Sequence, residues 1–296
     1  DNNTAIGANA LYTFNVASGD GYNTAVGKNA GFAITTGTSN TIVGALAGDS
    51  ITTGANNVAI GISALDTATT ASSNTAVGSN ALGAATTGAL NVAVGSNALL
   101  TNITGTRNSA LGVGALQLNT ASDNVAIGYH ALDTCAGGSN NTAVGTEAMD
   151  ANTSGSANVA VGYRALDSNT TADNNVAIGQ AALGLNTTGT ANVAIGHNAL
   201  DANTTASFNF AGGKDALGAN TTGAENVAIG YLALTNNTTG THNVAVGSSD
   251  GASGATLGTN STGSQNTALG MQSLGSNTTA DDNTAVGYQA LKANTT

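Results

Sequence analysis

The chain has no proline, no tryptophan and one cysteine, and only 7% of its 296 residues are charged. Each scarcity excludes something. Five Lys and Arg cannot follow a phosphate backbone, so nucleic acid is excluded as a partner. The single Cys135 excludes an intrachain disulfide framework and reads as a small residue at a tolerant turn. With aromatics at 3%, a wide core cannot be filled, whereas a narrow one can. No apolar run approaches the roughly 20 residues needed to span a bilayer, so no membrane insertion is expected of this segment, and no signal peptide is visible. His130, His197 and His242 fall at different repeat positions and read as exposed turn residues, not as a metal or catalytic set. Arg107 and Arg164 are isolated, and no Gly-Lys-Ser/Thr phosphate loop occurs. The expectation is a chain that is not an enzyme and carries no cofactor.

What is present is a repeat. The motif Asn-x-Ala-(Val/Ile)-Gly opens at Asn23, Asn40, Asn57, Asn74, Asn91 and Asn108. It continues at Asn124, Asn141, Asn158, Asn175, Asn192, Asn209, Asn226 and Asn243, then at Asn266 and Asn283. The step is 17 residues, with one step of 16 before Asn124 and a longer one from Asn243 to Asn266. A first motif at Asn3 brings the total to about 17 coils. We count positions within a coil from the opening Asn as position 0. The alternating opening residues, with one β-branched, read as a short strand, and the Gly at position 4 as a corner. Ala-Leu at positions 7 and 8 supplies a second inward stretch. Asn-Thr-Thr from position 11 supplies a further β-like stretch and a turn.

Seventeen residues are too few for a helix–turn–helix unit. The fold expected is all-β: a parallel β-solenoid (β-roll) with a 17-residue repeat, one repeat domain over residues 1–296 with an insertion at about 248–259. The repeat runs from Asp1-Asn2-Asn3 to Asn294-Thr295-Thr296, so the segment reads as a fragment of a longer chain. Stacking turns each position into a ladder. Asn57, Asn74, Asn91, Asn158, Asn175 and Asn192 can donate to one neighbouring coil and accept from the other. Gly61, Gly78, Gly95, Gly162, Gly179 and Gly196 form an unbroken Gly ladder. The Val/Ile ladder breaks at Gly212. The Leu ladder admits Met149 and becomes Gly at Gly31, Gly48 and Gly251, where packing is expected to be poorest. Val/Ile and Leu are taken as the buried pair. The Ala ladder (Ala59, Ala76, Ala93) lies on the opposite strand face, and a strand apolar on both faces implies partner chains.

The run Asn192-Val193-Ala194-Ile195-Gly196-His197-Asn198-Ala199 resembles the head repeats of YadA-like trimeric autotransporter adhesins, and also repeats of bacteriophage tail fibres. The resemblance extends over essentially the whole chain. It implies a left-handed β-roll, a side-by-side homo-trimer, and attachment as the role. The adhesin head unit is shorter, and the Asn-Thr-Thr-Gly edge is not part of its core motif.

Four surface features remain. Asp133, Asp150 and Asp167 share position 9 in successive coils and are calcium candidates, against a solvated edge that keeps the fibre soluble. Tyr129, Tyr163, Tyr231 and Tyr288 follow the corner Gly and form a candidate binding edge for sugars or a receptor. Asn169, Asn186, Asn203, Asn220 and Asn237 spell N-glycosylation acceptors but read as structural. The adjacent Thr rank, Thr170 and Thr171 among them, offers an alternative function, ice binding, for which only one of two neighbouring Thr can join a flat face. The reading is a structural extracellular fibre segment of an adhesin or phage tail fibre. It is expected on a cell surface or virion and attaches to a host receptor or glycan. Specificity is expected in the Ser248–Thr259 insertion or in the irregular first coils near Tyr12–Tyr22.

Overall fold

The computed structural model describes residues 2–15, 20–251 and 254–295. Parts of both regions expected to carry specificity, residues 16–19 and 252–253, lie outside those described. The chain is a parallel β-solenoid of seventeen three-residue strands, with no helix among the described residues. It forms two compact units, Asp1–Thr146 and Glu147–Thr296. In the first, β1 (Thr4–Ile6) to β9 (Thr142–Val144) stack in chain order as a parallel sheet. In the second, β10 (Val159–Val161) to β17 (Thr284–Val286) do the same. Register is one coil to the next, position on position, as in Ala59↔Ala76 and Ala177↔Ala194.

Three-residue strands alone make a weak ladder. Further bonds between coils leave every corner. In the second coil-to-coil step of the Val58 strand, Val58 N–H donates to Asn74 O at 2.8 Å, and Gly61 N–H donates back to Val43 O at 2.8 Å. Leu65 N–H then reaches Ala81 O at 2.9 Å. The corner Gly is obligatory for two reasons. At Gly61 φ is +133°, and a Cβ there would lie 2.5 Å from Gly78 O in the next coil.

The strand faces are the reverse of the expected arrangement. The position-2 Ala points inward and is fully buried, as at Ala59, Ala160 and Ala177, while the position-3 Val/Ile points out and stays roughly 40% exposed, as at Ile178 and Ile195. The coil is too thin for Val beneath the strand when Leu already enters from the opposite wall. Leu65, Leu82, Leu166 and Leu200 fill that wall and are fully buried.

The coils with Gly at position 8 are not poorly packed, contrary to expectation. Gly31 and Gly48 are matched by Ile34 and Ile51 at position 11 and by Ile42 at position 2, all fully buried. A Cβ on Gly48 would sit 2.9 Å from Ile51 Cδ1 and 3.1 Å from Ile42 Cδ1, so the isoleucines occupy the missing leucine's volume. Gly251 is not in the Leu ladder. The insertion is looped out between the strand Val244–Val246 and the strand Thr267–Leu269, which still pair directly, and Leu257 takes the buried Leu place.

Asn-Thr-Thr is not a strand. In Asn186-Thr187-Thr188, the Thr187 and Thr188 N–H both converge on the single carbonyl of Thr204, at 2.9 and 3.2 Å. That convergence bends the chain and removes the alternation a sheet ladder needs.

Candidate functional site

The interior polar columns are closed on themselves except at Asn102, whose Oδ1 is buried without a hydrogen-bond partner. Asn175 Oδ1 accepts from Asn192 N–H at 2.9 Å and from Asn192 Nδ2 at 3.2 Å, while Asn175 Nδ2 donates to Gly189 O at 2.9 Å. A second buried column runs along position 11: Asn186 Nδ2 donates to Asn169 Oδ1 at 3.2 Å and to Gly189 O at 2.9 Å. These asparagines are fully buried, so in the folded chain the Asn-Thr-Thr sequons are not offered to an enzyme. Cys135 stands in this column. It is buried and donates Sγ–H to Gly138 O at 3.2 Å, which corrects its reading as a tolerant-turn residue.

Outside, the strand face carries no charge. The strand residues at positions 1 and 3 point out, and in all seventeen strands none is charged or carries an amide. Position 1 is Thr or Ser in eight of these strands and apolar in the rest, and position 3 is apolar or Gly in all. Three strands pair a small residue with a large one across this face. Small Ser109 accompanies large Leu111, Thr267 accompanies Leu269, and Phe210 accompanies Gly212. The Phe210 ring leans toward the gap, its Cε1 3.2 Å from where a Gly212 Cβ would stand.

Asp133 belongs to the first unit, where its Oδ2 lies 2.6 Å from His130 Nδ1 while its Oδ1 is buried without a protein partner. Asp150 and Asp167 belong to the second, and Asp167 accepts from Arg164 Nη2 at 2.6 Å. Tyr129 packs edge-on against its neighbour His130. Tyr163, Tyr231 and Tyr288 share position 5 of the second unit, but with two or three coils between successive rings, so they make no continuous aromatic edge. The aromatic pair that does stack is Tyr12 with Phe32, ring centroids 5.2 Å apart. Both occupy position 9 once the first coil is registered from Asn3, a signal present in the sequence and overlooked.

The histidines and arginines are not bare turn residues either. His242 Nε2 lies 2.9 Å from Glu225, and Arg107 grips Asp123 of the next coil through Nε at 2.6 Å and Nη2 at 2.8 Å. The Arg107 contact holds the Asp123 carboxyl below its usual range. Burial pushes the Asp49, Asp66 and Asp201 carboxyls up, with Asp49 adding to the effect at Asp66. Position-12 threonines are occupied as well: Thr52 and Thr187 hydroxyls each donate to the next coil's backbone carbonyl at 3.0 Å.

No helix among the described residues is long and apolar enough to cross a membrane. No family model matches the chain, and no curated protein and no solved structure is significantly similar to it.

Proposed function

We propose that this chain is a structural, non-catalytic segment of an extracellular attachment fibre, of the adhesin or phage tail-fibre kind, on a cell surface or virion. Its copies associate side by side as a homo-trimer. The observation that carries this reading is the outward strand face, uncharged in all seventeen strands of a chain whose formal net charge is −11. Acidic chains repel one another everywhere else. Burying that face against another chain gains roughly 25 cal/mol per Å² of apolar surface taken out of water. The self-satisfied Asn columns leave little internal polarity for catalysis and suit a stiff spacer.

Ice binding is the weaker reading. A water-ordering surface needs hydroxyls free to face the solvent, and the position-12 hydroxyls at Thr52 and Thr187 are already spent on carbonyls. Light scattering of the purified chain tests the proposal. A mass three times the 28.3 kDa of one chain is expected, and it should fall to one chain when Val176 and Val193 are both changed to Lys. A monomeric wild-type chain at micromolar concentration refutes the association, and thermal hysteresis in its solutions refutes the attachment reading.

A further inference from the structure

A recess in the second unit lies over one of the glycines that recur at position 9. Position 9 carries Asp201, then Gly218, then Thr235 in three successive coils, and position 10 carries Ala202, Ala219 and Asn236. Gly218 and Ala219 therefore drop the middle coil below its neighbours. The cavity so formed has a volume of about 310 Å³. Its floor is Gly218 and Ala219; Asn198, Asp201 and Asp215 line one side, and Leu232, Thr235 and Asn236 the other. Backbone geometry does not call for this glycine. Gly218 has no positive φ, and a Cβ there would meet nothing nearer than Asp215 O at 3.2 Å. Leu100 occupies the same position in another coil. The missing side chain is thus an omission that opens space.

We propose that this recess binds a single neutral sugar ring, which rests on the attachment reading above and supplies its ligand class. The volume lies at the lower end of small-ligand pockets, roughly 300–1,000 Å³. The lining is mostly hydrogen-bonding and spread around the rim, as separate hydroxyls require. Asn198 offers both a donor and an acceptor, Asp201 and Asp215 accept, and Leu232 gives an apolar patch for a ring's C–H face. Two carboxylates oppose an anionic ligand. A divalent cation is a poorer fit, because among the described residues no three His, Cys, Asp or Glu side chains converge here. Asp215 lies beside two basic side chains, with Lys214 Nζ at 3.7 Å and His197 Nδ1 at 4.0 Å. Lys214 in turn lies 5.8 Å from the centre of the Tyr231 ring.

Saturation-transfer NMR on the whole chain tests this with the methyl glycosides of glucose, galactose, mannose and N-acetylglucosamine. At least one should receive signal. Gly218→Leu, which fills the recess, should weaken its binding at least tenfold without moving the circular-dichroism melt, and Asn198→Ala should weaken it about threefold. Tyr288→Ala, remote from the recess, should leave it unchanged. No signal from any of the four overturns the proposal, as does signal that survives Gly218→Leu or vanishes with EDTA. A chain that forms the trimer but binds none of these sugars sinks the recess and leaves the attachment reading standing. A monomer that binds through Gly218 does the reverse.

Discussion

Removing one rung of the opening Asn column should open a single coil, and the cost can be worked bond by bond for Asn175→Ala. Asn175 Oδ1 is the acceptor for Asn192 N–H at 2.9 Å, and Asn192 is fully buried. That backbone donor is left with no acceptor, which costs about 1–3 kcal/mol. The other partners are better placed. Gly189 O keeps Asn186 Nδ2 at 2.9 Å, Asn192 Nδ2 keeps Ala206 O at 2.9 Å, and Asn158 Oδ1 keeps the Asn175 N–H at 2.9 Å. Those two weakened contacts add about 1 kcal/mol in all. The total, about 3 kcal/mol, is roughly 150-fold in an opening equilibrium. Because coils contact mainly their neighbours, the loss should show locally. Hydrogen exchange at the Asn192 amide is therefore the assay, and about 150-fold faster exchange is expected. Asn175→Asp separates hydrogen bonding from shape. Its carboxylate can accept from Asn192 but cannot donate to Gly189 O unless protonated, and burial raises its pKa above the unfolded value of roughly 3.9. A raised carboxyl pKa means the folded state holds more protons, so stability is greatest below the unfolded pKa and falls as pH rises through the folded one. That variant should exchange near the wild-type rate at about pH 3 and faster with each step upward. Exchange at Asn192 within threefold of wild type in Asn175→Ala would show that the column is incidental to the coil.

Three further outcomes follow from the same geometry. Gly162→Ala forces a Cβ onto a residue at φ +138° and 2.5 Å from Gly179 O; a loss of about 2–4 kcal/mol is expected by urea unfolding, and an unchanged midpoint contradicts the corner argument. Gly48→Leu should destabilise by about 1–3 kcal/mol through overpacking against Ile51 and Ile42. Adding Ile51→Ala should recover most of that loss, since Leu65 and Ala68 already coexist in the next coil, and simple additivity in the double mutant would refute the swap. Asp66 has its carboxyl pushed up by burial and then by Asp49, so folding stability should decline as pH rises from the unfolded carboxyl value through the folded one. NMR titration should show Asp66 titrating above an ordinary Asp, and Asp49→Asn should lower it; a normal Asp66 midpoint would contradict the burial.

The period, the parallel register and the two obligatory ladders were legible because they rest on residues with few alternatives. Only Gly accepts the corner, and a buried amide that both donates and accepts suits the opening position. Which strand face points inward was not legible. Ala and Val/Ile alternate, both are apolar, and period-2 alternation identifies two faces without saying which is covered. The deciding quantity is the width of the coil, set by the leucine arriving from the other wall, and that leucine lies five residues from the nearest strand residue. The same cause hid the packing of the glycine-bearing coils. Gly48, Ile51 and Ile42 compensate for one another across three separated positions of one coil, so each looks like an isolated deviation along the chain. The tyrosine candidates were chosen by shared position alone, which guarantees a common column but not a shared neighbourhood: two or more coils intervene between those of the second unit. The recess over Gly218 shows the converse. Its walls come from positions 6, 9 and 10 of three successive coils, so no single repeat contains it. In a solenoid the regular positions are constrained by folding, and freedom to form a site lies where a side chain that the backbone would accept has been left out.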